Sequence, residues 1–175
     1  MGRKRKGGIW TFIKSTVITA AATVLVQQFL LTPTTVKGES MLPTFRHNNK
    51  VVIFKMTTVD RFDIIVFKSP ISDEYHIKRV IGLGGDTVEM KDDRLFINGE
   101  EYDEPYLHEA KKELLPGQKM TEDFKISVPE GSLFVMGDNR QRSRDSRSYG
   151  TISEESILGE AVLRFYPFDE IGYLH

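Results

Sequence analysis

Two runs decide the fold: Asp63-Ile64-Ile65-Val66-Phe67-Lys68, then Tyr75-His76-Ile77-Lys78-Arg79-Val80-Ile81-Gly82 after the polar, proline-bearing stretch Ser69–Glu74. Each is short, rich in β-branched and aromatic residues and bounded by turn formers, the pattern of a strand rather than of a helix. Outward from them the same texture recurs at Thr34–Gly38, Lys50–Phe54, Asp86–Met90, Arg94–Ile97, Ser132–Met136 and Glu160–Tyr166. Asn98-Gly99 reads as a hairpin turn, because both residues accept positive φ cheaply. Ser153–Ile157 suits a single helical turn, and no segment after residue 33 sustains a helical period. The expected class is therefore all-β, a barrel-like or folded β-sheet domain over 32–175. Asn98–Val128, polar and interrupted by Pro105, Pro116 and Gly117, is expected to form a small inserted lobe. Its charges at Glu100–Glu104 and Lys111–Glu113 read as a solvated surface.

The amino terminus has a different character. Arg3, Lys4, Arg5, Lys6 and Lys14 give the first 14 residues five positive charges and no acid, whereas the whole chain carries −1. Ile9–Leu31 follows the basic tail of residues 1–8, and Lys14 is its only charge. A helix of that length covers roughly 30 Å, enough for one transmembrane helix. Basic residues at its start predict a cytoplasmic N-terminus and an extracytoplasmic body. A cleavable leader would have a shorter apolar run and a small-residue cleavage site, and Gln27-Gln28-Phe29-Leu30-Leu31-Thr32-Pro33 offers none. A buried globular helix would leave the basic cluster without a role.

The chain of 175 residues has no cysteine, which excludes disulfides, thiolate metal sites and cysteine nucleophiles. Beyond residue 14 acids outnumber bases, opposite to what a nucleic-acid binder needs on its folded surface. His47, His76, His108 and His175 lack metal-ligand spacing and read as structural or exposed, so neither a metal nor an organic cofactor is expected.

Three segments carry chemistry. In Gly38-Glu39-Ser40-Met41-Leu42-Pro43-Thr44 a glycine two residues before a serine permits a tight turn and brings an amide near an incoming carbonyl oxygen. Alone it is an ordinary turn, and Leu42 rules out the G-x-S-x-G elbow of the α/β-hydrolases. In Tyr75–Gly82, Lys78 shares a strand face with His76 and Val80, while Ile77 and Arg79 point the other way. Such a lysine usually faces solvent; a buried one loses its proton more easily and becomes a base. The polar loop Gly137-Asp138-Asn139-Arg140-Gln141-Arg142-Ser143-Arg144-Asp145-Ser146-Arg147-Ser148-Tyr149-Gly150 suits a self-bonded loop that buttresses a neighbouring site, and Asp145 with Arg147 suits a fixed ion pair.

In this order, GESMLPT, HIKRVIGLGGD and GDNRQRSRDSRSYG, with DIIVF as a weaker fourth, resemble the conserved boxes of the type I signal peptidases across Gly38–Gly150. The resemblance implies a membrane-bound serine endopeptidase that cleaves signal peptides from exported preproteins through a Ser–Lys dyad and an acyl-enzyme. Ser40 corresponds to the nucleophile and Lys78 to the general base. Ser143 matches a serine that orients the amine, and Asp145 and Arg147 match a supporting pair. The Ser40 amide would stabilise the oxyanion, with Gly38 standing where some members carry a second donor, a serine. Val36, Met41 and Ile77 fall where shallow subsites admit small residues, giving an A-x-A preference. The implied partners are preprotein signal peptides, the lipid bilayer and the secretion machinery. Gly84 stands where many members have proline, and Phe62 where glycine is commoner. A single anchor and modest length resemble the Gram-positive type.

Rival readings are a Ser40–His76–Asp138 triad, a self-cleaving repressor and a catalytically silent membrane-tethered β-domain that binds partners. The S-x-x-K pattern of penicillin-binding proteins is absent. A repressor would need a DNA-binding domain where this chain has its apolar helix. A silent domain would be free to lose Ser40, Lys78 and Ser143.

Overall fold

The structure is a computed structural model that describes residues 7–55 and 58–174. It opens with α1 (Gly7–Phe29), in which, among the described side chains, Ile9, Trp10, Phe12, Val17 and Ile18 are all exposed. Among the described residues no helix is long and apolar enough to cross a membrane. Lys14 and the hydroxyl residues dilute α1; Ser15 and Thr16 donate back to the Phe12 carbonyl and Thr23 to that of Thr19. The helix also stops at Phe29, and Leu31 already belongs to the first strand rather than to the helix. The basic cluster Arg3–Lys6 and His175 lie outside the described residues.

Twelve strands follow among the described residues: β1 (Leu31–Thr35), β2 (Lys50–Phe54), β3 (Ile64–Lys68), β4 (Tyr75–Gly82), β5 (Thr87–Lys91), β6 (Arg94–Ile97), β7 (Glu100–Tyr102), β8 (Phe124–Ser127), β9 (Ser132–Met136), β10 (Ile152–Ser153), β11 (Ile157–Tyr166) and β12 (Gly172–Tyr173). The large sheet runs β1-β2-β11-β3-β4-β9-β10, with β12 also on β11, and every pairing is antiparallel. Long β11 joins β2 to β3 through register breaks on both sides, which bend the sheet toward a half-barrel. Gly159 sits at one such break, where a Cβ would lie 2.4 Å from the Phe54 carbonyl oxygen. The all-β, barrel-like expectation is met.

A small sheet, β7-β6-β5-β8, stands beside it. Asn98 and Gly99 turn β6 into β7 with φ of 55° and 85°, the two left-handed residues of the expected hairpin. The segment Asn98–Val128 supplies β7, α2 (His108–Lys112) and β8, and β5 and β6 complete the same sheet. Val88, Met90, Leu95 and Ile97 of the small sheet pack on Ile81, Phe134 and Met136 of the large one, so the two sheets share a core. Two further clusters lie on either face of the large sheet, around Phe45, Val51 and Ile64, and around Ile65, Phe67 and Val80.

Candidate active site

Ser40 lies in the connection from β1 to β2. Gly38 holds φ of +83°, a conformation that favours glycine, and starts the turn. Two bonds tie this turn to the loop after β9: the Asn139 amide donates to the Ser40 carbonyl and Asn139 Nδ2 to the Glu39 carbonyl, both at 3.0 Å. The Gly38 amide already donates to His47 Nδ1 at 3.1 Å, so the position expected to aid an oxyanion does not present its own N–H in this arrangement.

Lys78 comes from β4, opposite Ile65 of β3. It is only 4% exposed, and its Nζ donates to Ser40 Oγ at 2.8 Å and to the Ile77 carbonyl at 2.9 Å. Burial pulls its pKa down to about 8, against the opposing pull of the Asp145 and Asp138 carboxylates. The strand thus delivers the alternative of a buried amine in contact with a serine hydroxyl.

The loop after β9 closes the site. Asp145 is fully buried, accepts both Nε (2.8 Å) and Nη2 (2.7 Å) of Arg147, and also accepts the Gly137 amide at 2.9 Å. These donors hold its carboxyl below the usual range despite burial. Asp145 also caps α3 (Ser146–Tyr149) by accepting the Arg147 amide. Gly137 is required for contact: a Cβ there would lie 2.2 Å from Ser143 Oγ and 2.4 Å from the Ser40 carbonyl oxygen. Ser143 is therefore beside the nucleophile's backbone, but its buried Oγ makes no well-formed hydrogen bond, and neither of the Lys78 bonds goes to it. It stands close enough to Asp145 to help keep that carboxyl low. The expected bond from Ser143 to the amine is absent from this arrangement.

Arg79 is the residue that sequence reasoning passed over. Facing away from Lys78, it is 1% exposed and grips Asp138 through Nε (3.0 Å) and Nη2 (2.8 Å), while Thr44 Oγ1 donates to the same carboxylate at 2.5 Å. Asp138 is thereby committed to Arg79 and not to a histidine. His76 packs edge-on to Phe67, its Nδ1 unbonded, and burial lowers its pKa, so no Ser40–His76–Asp138 triad is assembled. Glu104 also departs from its reading as solvated surface: it is 1% exposed and paired with buried Arg140. The alternation of β4 pointed Arg79 to the second face, but no local signal named Asp138 as its partner there. His108 bonds Asp103 at the surface.

A cleft of about 840 Å³ leads to Ser40 and Lys78, with Thr34, Val36, Tyr75 and Ile77 among its walls. Met41 does not line it; it is buried beneath, with Val36 and Phe45, and Ile77 packs on that cluster. β9 pairs only Arg79–Gly82 of β4, so Tyr75–Lys78 keep one free strand edge toward the cleft. β1 supplies a second free edge across it.

The profile of the family described as signal peptidase, peptidase S26, matches residues 9–166. The chain belongs to this family. It is 41% identical to signal peptidase I of Bacillus licheniformis over 174 residues, covering 95% of this chain and 94% of that one. Signal peptidase IB of Staphylococcus aureus (strain MRSA252) is 38% identical over 164 residues, 85% of each chain. A crystal structure of a signal peptidase I from Enterococcus faecalis V583 superposes with a TM-score of 0.59 at 43% identity, covering 60% of this chain and 97% of that one. Membership makes this chain a serine endopeptidase of signal peptides, and the catalytically silent alternative falls.

Proposed function

We propose that the chain cuts signal peptides from exported preproteins with Ser40 as nucleophile and Lys78 as general base. The observation that carries the assignment is the 2.8 Å contact between Ser40 Oγ and a buried amine whose pKa is near 8. Neutral Lys78 takes the Ser40 proton as Oγ attacks the scissile carbonyl. The ammonium then protonates the leaving amine, releasing the mature protein and leaving an acyl-enzyme. Lys78, neutral again, activates the water that hydrolyses it. The oxyanion is held by the Ser40 amide. No step calls for a metal or an organic cofactor.

The signal peptide binds extended, adding backbone hydrogen bonds to the free edges of β4 and β1. Val36 and Ile77 bound pockets that accept alanine at the first and third positions before the cut; a bulky aromatic at either overfills them. Met41 supports these walls from below. α1, with its uncovered Trp10, Phe12 and Val17, lies in the lipid bilayer as the anchor, N-terminus cytoplasmic and the body, residues 32–175, outside near the secretion machinery.

The test is to incubate a preprotein with the full chain in detergent and locate the cut by mass spectrometry. Wild type should cleave after A-x-A, whereas Ser40→Ala and Lys78→Arg should not, because a guanidinium stays protonated at any accessible pH. Turnover by either variant near the wild-type rate would sink the dyad.

A further inference from the structure

The geometry points to Tyr106, in the lobe between β7 and α2, as a positioning residue for the dyad: its ring presses Arg79 onto Asp138 and so fixes both the strand that bears Lys78 and the loop that bears Ser40. This rests on the dyad reading above and deepens it. The Arg79 guanidinium carbon lies 3.9 Å from the Tyr106 ring centroid, a close stack for a charge buried away from water. Arg79 is next to Lys78 in β4, and its Nη1 also donates to the Phe62 carbonyl at 2.8 Å. Its bidentate partner Asp138 accepts Thr44 Oγ1, four residues beyond Ser40. One face of the ring thus bears on the two chain segments that must meet for Lys78 to touch Ser40.

The hydroxyl side adds a second line. Tyr106 Oη donates to Glu104 Oε1 at 3.0 Å, and Arg140 Nη2 reaches both Glu104 Oε1 (2.5 Å) and Tyr106 Oη (3.3 Å). Arg140 Nε in turn donates at 3.2 Å to the carbonyl of Gly137, the residue packed on Ser40 and Ser143. Burial drives the Tyr106 pKa well above its ordinary value, so it stays a neutral donor. A lobe that merely covered the core would need apolar contacts only. This one commits Glu104 and Tyr106, with Lys111 at 3.5 Å from Glu104, to a charged framework that is otherwise all catalytic domain.

The electrostatic consequence has a definite sign. Lys78 couples to His76 on its own strand and to Asp138 and Asp145 from the loop after β9. Arg79 stands on the opposite face against Asp138, Arg147 of α3 is bonded to Asp145, and Tyr149 of α3 lies near the His76 ring. Asp138 favours the Lys78 ammonium, and the ion pair with Arg79 neutralises part of the Asp138 charge while it is held in place. Letting Arg79 swing away exposes Lys78 to more of the Asp138 charge and lowers its neutral fraction at a given pH.

The experiment compares wild type, Tyr106→Phe and Tyr106→Leu as full chains in detergent, measuring kcat, KM and the pH profile on one preprotein. Tyr106→Leu should lower kcat roughly ten-fold with KM within two-fold, and should move the acid limb up by roughly half a pH unit. Tyr106→Phe keeps the ring on Arg79 and should restore most of kcat and the limb. Should the leucine variant fail to fold, Tyr106→Met takes its place with the same expectation. Folded leucine or methionine variants with wild-type kcat and an unmoved limb overturn the positioning role, as does a loss confined to thermal stability. A wild-type profile with no acid limb removes the dyad reading and this role together; a normal wild-type profile beside unmoved variants removes this role alone.

Discussion

Lys78 is held in its less comfortable protonation state, and that discomfort is measurable as stability. In the unfolded chain its amine titrates near its ordinary value of 10.5, whereas in the fold it titrates near 8. Between those pH values the unfolded state binds more protons, so stability rises with pH across the window. Below about pH 8 the whole penalty is present, and two and a half pKa units correspond to about 3 kcal/mol. Lys78→Met is of similar length and removes the charge, while it forfeits the bonds to Ser40 Oγ and the Ile77 carbonyl, together worth about 1–2 kcal/mol. The variant should therefore be inactive yet more stable than wild type by about 1–2 kcal/mol at pH 7, and the advantage should vanish or reverse by pH 10.5. Urea unfolding of both proteins in one detergent at pH 7 and near pH 10 gives the comparison, and subtracting the two cancels other titrating groups. A methionine variant less stable than wild type at pH 7, by an amount that does not change with pH, would refute the reasoning.

Gly137→Ala should be severe: its Cβ meets Ser143 Oγ at 2.2 Å and backbone at 2.4 Å, and relief requires shifting the Ser40 turn. Activity should fall about a hundred-fold, with stability down about 1–3 kcal/mol, read from initial rates and urea midpoints. Ser143→Ala should cost far less than Ser40→Ala in kcat at saturating preprotein, since Ser143 Oγ gives Lys78 no direct bond. Phe62 occupies φ of +74°, a left-handed strain of about 1–2 kcal/mol, yet its ring packs near Tyr102 and Tyr106. Phe62→Gly relieves the strain and loses the larger packing term, so chemical denaturation should show a net loss of about 1 kcal/mol.

The strands that carry dense apolar runs were legible in full: β4, β2, β6 and β9 appear with the boundaries their residues suggest. β1 was not. It begins at Leu31 and includes Thr32 and Pro33, which an edge strand tolerates because a missing N–H can face outward. β7, β10 and β12 are two or three residues long, held by their partners rather than by any pattern of their own. At the site, the motif order pointed to Ser40, Lys78 and Asp145, since tight turns and polar buttressing loops leave local signals. The Arg79–Asp138 pair and the burial of Glu104 left none, because both depend on the lobe packing against the second face of β4. Alternation tells which way a side chain points but not what lies there.

The pH dependence of kcat/KM for preprotein cleavage tests the central claim most directly, because it reads the free enzyme's base. With neutral Lys78 as that base, kcat/KM should climb roughly ten-fold per pH unit below its midpoint and level off above about pH 8, and metal chelators should leave the curve in place. A profile flat from pH 6 to 9, or one with its midpoint near the ordinary histidine value, would contradict it.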